Sequence, residues 1–142
     1  MSGGTLRLKV ITSTRVVVEA DADGVTFPGA LGELGILPGH APLLTTMRIG
    51  ELAYRSGGRD HHLAVQNGFV EVSLAPADGG TGGTVMVLAD VAELPSEIDV
   101  DAARAAKAAA ETALKSAAGK EFDRQQSLLE SAITRIAVAK RS

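Results

Sequence analysis

Three histidines, one glycine-flanked serine and two close pairs of aspartates are the side chains of this sequence that invite a chemical reading. His61 and His62 follow Asp60, and because the chain holds no cysteine, any metal would rest on imidazole and carboxylate ligands of this kind. Neighbouring residues of a strand face opposite sides, so one ion cannot be gripped by both histidines, and the segment reads as a solvated hairpin with no metal site. Ser56 precedes Gly57-Gly58 in a turn-like stretch, without the Gly-x-Ser-x-Gly elbow that presents a nucleophile and without a base beside it. Asp21 with Asp23, and Asp99 with Asp101, suit a turn and a helix start better than an acid–base pair. The glycine clusters make poor phosphate cradles: Gly79–Gly83 lacks a following Lys-Ser/Thr, and Gly29-x-x-Gly32-x-x-Gly35 leads to Pro38 and not into a helix. No catalytic residue set and no metal centre are expected.

Composition narrows the classes further. The 142 residues carry 17 acidic and 14 basic side chains, a net charge of −3, and only three Phe and one Tyr, which supplies neither the basic field nor the stacking platforms of a nucleic-acid binder. The apolar runs fall far short of the roughly 18–20 residues that cross a bilayer, so no membrane-spanning segment is expected. The first residues, Met1 to Val10, show neither a secretory nor an organelle import pattern, and this predicts a protein that works where it is made, most simply the bacterial cytoplasm.

The elements that must position these groups change character near Pro95. Fifteen of the 16 glycines precede it, whereas residues 97–142 hold 13 alanines. Before it, alternating apolar residues predict strands near 5–11, 14–19, 24–27, 43–47, 50–56, 60–66, 68–74 and 83–89, with turns at Ala22-Asp23-Gly24, Ser56-Gly57-Gly58 and Gly79–Gly83. Short strands at even spacing suggest a sandwich or barrel. After it, Ser96 or Asp99 can cap a helix that ends near Gly119, and a second helix carries Phe122, Leu128, Leu129, Ala132, Ile133, Ile136 and Val138 at three- and four-residue steps. The predicted fold is α+β: an N-terminal all-β sandwich over residues 1–93, then an antiparallel two-helix hairpin over 97–142. So alanine-rich a pair buries little at about 25 cal/mol per Å², and it should lean on another surface.

One segment stands apart. Phe27 to Thr45 is dense in Gly and Pro, which predicts an irregular crossover with fixed turns and leaves Glu33 and His40 as its only ionisable side chains. Polar groups on rigid loops serve either to brace the turns or to meet a partner.

Within it, Gly32-Glu-Leu-Gly-Ile-Leu-Pro-Gly-His-Ala-Pro-Leu-Leu-Thr45 resembles the signature of the epsilon subunit of bacterial F-type ATP synthases, the counterpart of the mitochondrial delta subunit. Asn67-Gly-Phe-Val-Glu-Val72 resembles the family's Gly-Gly-Phe-x-Glu-Val strand, Val85–Ala92 its Val-x-Val-Leu-Ala-Asp-x-Ala strand, and residues 99–140 its helical hairpin, so the likeness covers nearly the whole chain. The resemblance implies a non-catalytic rotor subunit of the proton-translocating enzyme, peripheral on the cytoplasmic face of the bacterial plasma membrane. Its sandwich would contact the gamma subunit and the polar loops of the c-ring, with Glu33 and His40 at positions that face those loops.

The resemblance also implies a mobile tail that lies compactly on the sandwich or extends to the beta and alpha subunits of the catalytic head, where it can restrain ATP hydrolysis. Residues 97–142 carry eight basic and seven acidic side chains, so the tail is +1 against −4 for the rest, and Arg104, Lys107, Lys115, Arg124 and Arg135 are the candidates for head contacts. Some family members bind ATP at the compact hairpin through Ile/Leu-Asp-x-x-Arg-Ala and two arginines one turn apart. Here Val100-Asp101-Ala102-Ala103-Arg104-Ala105 matches with Val first, Arg135 aligns with the later arginine, and Ser131 replaces the earlier one. Losing one charge-assisted contact costs about 1.5–3 kcal/mol, so the resemblance implies at most weak ATP binding and no resident cofactor. Asp101 and Arg104 read more simply as helix-start and surface residues. A free-standing nucleotide sensor on the same scaffold is the competing reading, while a hydrolase has no credible residue set.

Overall fold

The computed structural model describes residues 4–74 and 82–141; the predicted turn at Gly79–Gly83 lies outside them except for Gly82 and Gly83. Eight strands are present among the described residues: β1 (Leu6–Ile11), β2 (Val16–Ala22), β3 (Gly24–Gly29), β4 (Gly32–Ile36), β5 (Leu43–Met47), β6 (Gly50–Ser56), β7 (Arg59–Ser73) and β8 (Thr84–Glu93). They join in the order β2-β1-β8-β7-β5-β3-β4, with β6 pairing to β3 and β7. Alternation decides the inward face: Leu6, Leu8 and Val10 of β1, Val85 and Val87 of β8, and Leu63, Val65, Val70 and Val72 of β7 are buried around Phe27, Ile36 and Leu52. Turn chemistry follows the residue types, as at Ser56-Gly57-Gly58, where φ of +60° and +75° at the two glycines closes the β6–β7 hairpin.

Where two strands were expected at 60–66 and 68–74, one strand of 15 residues runs through. Its inward residues are Leu63 and Val65 before the corner and Val70 and Val72 after it, so the facing parity flips at Asn67-Gly68. β6 pairs with the first half and β5 with the second along the same edge, and β8 follows both halves in one register. This corner folds a single sheet into the two layers of a sandwich. Asn67 sits at φ +49°, a left-handed conformation that Asn tolerates, which explains how it stands where the resembling motif has glycine.

The segment predicted as an irregular crossover contains a short strand, β4, antiparallel to β3 with Pro28 opposite Glu33. Gly is disfavoured in strand interiors, yet β4 pairs on only one side, where Gly32 and Gly35 cost least. A 3-10 turn at Pro95–Glu97 then leads to α1 (Val100–Leu114) and α2 (Gly119–Ala139). Asp99 caps α1, its side chain accepting from the Ala102 amide at 3.0 Å, while Ser96 lies within the 3-10 turn. Gly119 takes φ +59° at the reversal between the helices. α1 packs on α2, and α2 rests on β6, β7 and the 3-10 turn. Buried Ala103, Ala110 and Ala132 keep the helices close.

Candidate functional site

Glu33 and His40 stand at opposite ends of β4 and are not brought together. Leu37-Pro38-Gly39-His40 forms a tight turn in which the His40 amide donates to Leu37 O at 3.0 Å, with Pro at the second position and Gly39 at φ +86° at the third. The Gly39 amide donates to Gly82 O at 2.8 Å and fastens this turn beside the start of β8. His40 Nδ1 lies 2.6 Å from Ala41 O; a carbonyl only accepts, so Nδ1 carries a proton. Glu33 is exposed, has no ion-pair partner among the described residues, and borders a cleft of about 360 Å³ that also touches Arg48, Glu51 and Glu130.

A second surface was not foreseen from sequence. Register sets Thr46 opposite Phe69, Phe69 opposite Leu88, Leu88 opposite Ile11, and Ile11 opposite Val16, giving one row across β5, β7, β8, β1 and β2 on the outer face. Phe69 is 55% exposed, Leu88 48% and Val16 52%, and Leu44 lies nearby at 70%. Single exposed apolar residues are ordinary, whereas contiguous apolar patches mark interaction sites, and this row is aligned across neighbouring strands. The parity flip at Asn67-Gly68 was the signal that could have found it, since it turns Phe69 outward.

The opposite layer carries the hairpin. The Arg135 guanidinium donates to Glu93 at 2.8 and 3.1 Å, Arg141 donates to Glu51 at 3.0 and 3.1 Å, and Gln66 donates to the Ser131 hydroxyl. The apolar share of this seam is one small cluster of Ala64, Ile98, Val138 and Ala139. Arg135 and Ser131, the two helix positions of the nucleotide motif, thus both turn toward the sandwich. Asp101 and Arg104 lie on α1, exposed, with 4.0 Å between their charged atoms. The structure shows no contact joining them to Arg135.

Beside the seam, Glu97 accepts from both Arg15 nitrogens at 2.7 Å and from the Leu94 amide at 2.9 Å. The Arg15 hydrogen bonds hold the Glu97 carboxyl below the usual carboxylate range, and the Arg15 guanidinium is pushed up in return. Among the described residues no group of three or more His, Asp or Glu is placed to hold a metal, and His61 stacks on Tyr54 with ring centroids 4.8 Å apart while His62 faces Glu51.

Residues 5–95 match the family described as ATP synthase, Delta/Epsilon chain, beta-sandwich domain, and residues 96–140 match the ATP synthase, Delta/Epsilon chain, long alpha-helix domain. The ATP synthase epsilon chain of Citrifermentans bemidjiense is 43% identical over 136 residues, covering 94% of this chain and 93% of the relative. That of Desulforamulus reducens is 44% identical over 137 residues, covering 95% and 97%. Among solved structures, a chain of the Euglena gracilis mitochondrial ATP synthase superposes with a TM-score of 0.79 at 19% identity, covering 96% of this chain and 82% of that one, a likeness of fold.

Proposed function

The chain belongs to the ATP synthase delta/epsilon family as an epsilon-type, non-catalytic central-stalk subunit, and from that premise we propose that it couples rotation of the c-ring to ATP synthesis in the catalytic head. Residues 1–93 are the rotor-attachment domain and residues 97–142 a regulatory domain. The observation that carries this reading is the uncovered row of Phe69, Leu88, Ile11 and Val16 on the layer opposite the hairpin. A gamma subunit laid there would remove about 800 Å² per partner from water in an interface of standard size. The Glu33 and His40 turns are offered to the polar loops of the c-ring, and the subunit works peripherally, on the cytoplasmic face of the bacterial plasma membrane.

In this reading the compact hairpin is one of two positions, and release toward the beta and alpha subunits of the head restrains ATP hydrolysis, with Arg104 and Arg135 among the basic contacts. ATP binding at the hairpin is weak, because Arg135 is engaged by Glu93 and Ser131 supplies no charge. The test pairs two variants. Phe69→Glu with Leu88→Glu is expected to leave the chain folded and abolish its co-purification with the synthase; retention at the wild-type level would remove the outer face from the account. Charge reversal at Glu33 or His40 is expected to impair coupled proton transport more than thermal stability, whereas equal losses would make both residues braces of their turns.

A further inference from the structure

His62 sits where the last turn of the hairpin meets the sandwich. Its Nδ1 lies 3.1 Å from Glu51 Oε2, yet that nitrogen is buried and lacks hydrogen-bond geometry to any partner. The same Glu51 carboxylate accepts from Arg141 Nε at 3.0 Å and Nη2 at 3.1 Å. Glu51 belongs to β6 and His62 to β7, both fixed parts of the sandwich, whereas Arg141 directly follows α2 on the hairpin. One carboxylate is therefore shared between an imidazole that cannot leave and a guanidinium that can.

Other charges line the same surface, Asp23 in a cleft with His62 and Glu33, Arg48 and Glu130 in a cleft with Glu51, but among the described residues none of them forms an ion pair with either group. From β6, Arg55 is occupied by Asp60 at 3.0 Å and by Gly58 O, and Tyr54 is held neutral by burial, which pushes its phenol up. From β7, Arg59 and Asp60 are exposed, and His61 faces the other way against Tyr54. From the helical side Arg141 pairs with Glu51 and Glu130 borders the cleft that Glu51 lines, while the 3-10 turn contributes Pro95.

We propose that His62, Glu51 and Arg141 form a proton-sensitive clamp that lets go of the last turn of α2 when His62 takes up a proton. With a neutral ring, docking gives Glu51 its one cation in ion-pair contact among the described residues. With a protonated ring, Glu51 is already neutralised inside the sandwich, and docking sets a second positive charge beside the first, leaving the cluster at a net +1. By linkage the proton and the docked turn oppose one another, so docking weakens as pH falls. The Glu93–Arg135 pair, a carboxylate and a guanidinium with no imidazole, holds the same helix earlier along and keeps the response local to its end. The clamp concerns how the end of the tail is held and stands whether or not the chain rides on a rotor; on the function proposed above, it makes release of that end respond to acidification.

Among the described residues there is no cysteine, and none occurs in the sequence, so nitroxide labels at Thr46→Cys and Lys140→Cys in the full chain report the sandwich-to-tail distance cleanly. Between pH 8 and pH 5.5 the ratio of docked to released tail is expected to fall about two- to fivefold, the scale of partly exposed charge contacts. His62→Gln should abolish that response while staying docked, and Glu51→Gln should raise the released fraction at both pH values. A ratio that stays constant or rises on acidification overturns the clamp, as does an undiminished response in His62→Gln or full docking of Glu51→Gln at pH 8. Circular dichroism at both pH values must show an intact sandwich, since release that accompanies loss of the strands would also refute it.

Discussion

Gly68 tolerates no side chain, because a Cβ there would come within 1.9 Å of the Leu88 carbonyl oxygen while φ stands at +147°. Gly68→Ala is expected to destabilise the sandwich by about 3 kcal/mol or more, read as a lower urea midpoint, with Asn67→Gly within about 1 kcal/mol of the parent. An alanine variant of undiminished stability would mean that the corner is not as described. Glu97 gives a pH prediction whose sign follows from its direction. Its folded carboxyl lies below the ordinary value through Arg15, so its contribution is present above the unfolded value and is lost as pH falls through the folded one. Glu97→Gln should therefore lower stability at neutral pH and flatten acid unfolding below about pH 4.5. If parent and variant converge nowhere on the acid side, the Arg15 contact contributes nothing.

The helical hairpin illustrates how an element can be plain in a sequence while its attachment is not. Asp99 as cap, Gly119 as reversal and the alanine spacing of α1 were all legible, because each acts through residues a few positions away. The partners of α2 were not legible, since Glu93, Gln66 and Glu51 are brought to Arg135, Ser131 and Arg141 only by the strand pairing of a distant part of the chain. Arg135 was accordingly read as a ligand for a phosphate or for the catalytic head, and in the compact form it serves a carboxylate. For the same reason β4 escaped notice: its glycines say turn, and only its place at the end of the sheet makes a strand of it. A seam of ion pairs around one small apolar cluster should be sensitive to salt. Raising ionic strength from 0.05 to about 0.5 M is expected to shift the labelled tail toward release without changing the sandwich melting temperature. A tail equally docked at both would mean that packing, not charge, holds it.

At the scale of the molecule the two layers of the sandwich differ, one face covered by α2 and the other left apolar and open along Phe69, Leu88 and Val16. The composition break at Pro95 announced the division, but the uncovered row depends on register across five strands, which no local pattern reveals. Ligand energetics belong here too. With Arg135 taken by Glu93, calorimetric titration of the full chain with ATP should show no binding tighter than about 1 mM, and at such affinity millimolar ATP adds only about 0.4 kcal/mol to docking. Tight binding would instead require Arg135 to exchange partners. The account rests most heavily on a sandwich that holds the rotor without help from its tail. The direct measurement is to replace the full chain in its native cell with residues 1–96, purify the synthase, and assay both subunit content and proton pumping driven by ATP. The shortened chain is predicted to remain in the complex at the parental ratio and to keep pumping coupled; a complex that lacks it, or a fragment that fails to fold, would contradict the division of labour between the two layers.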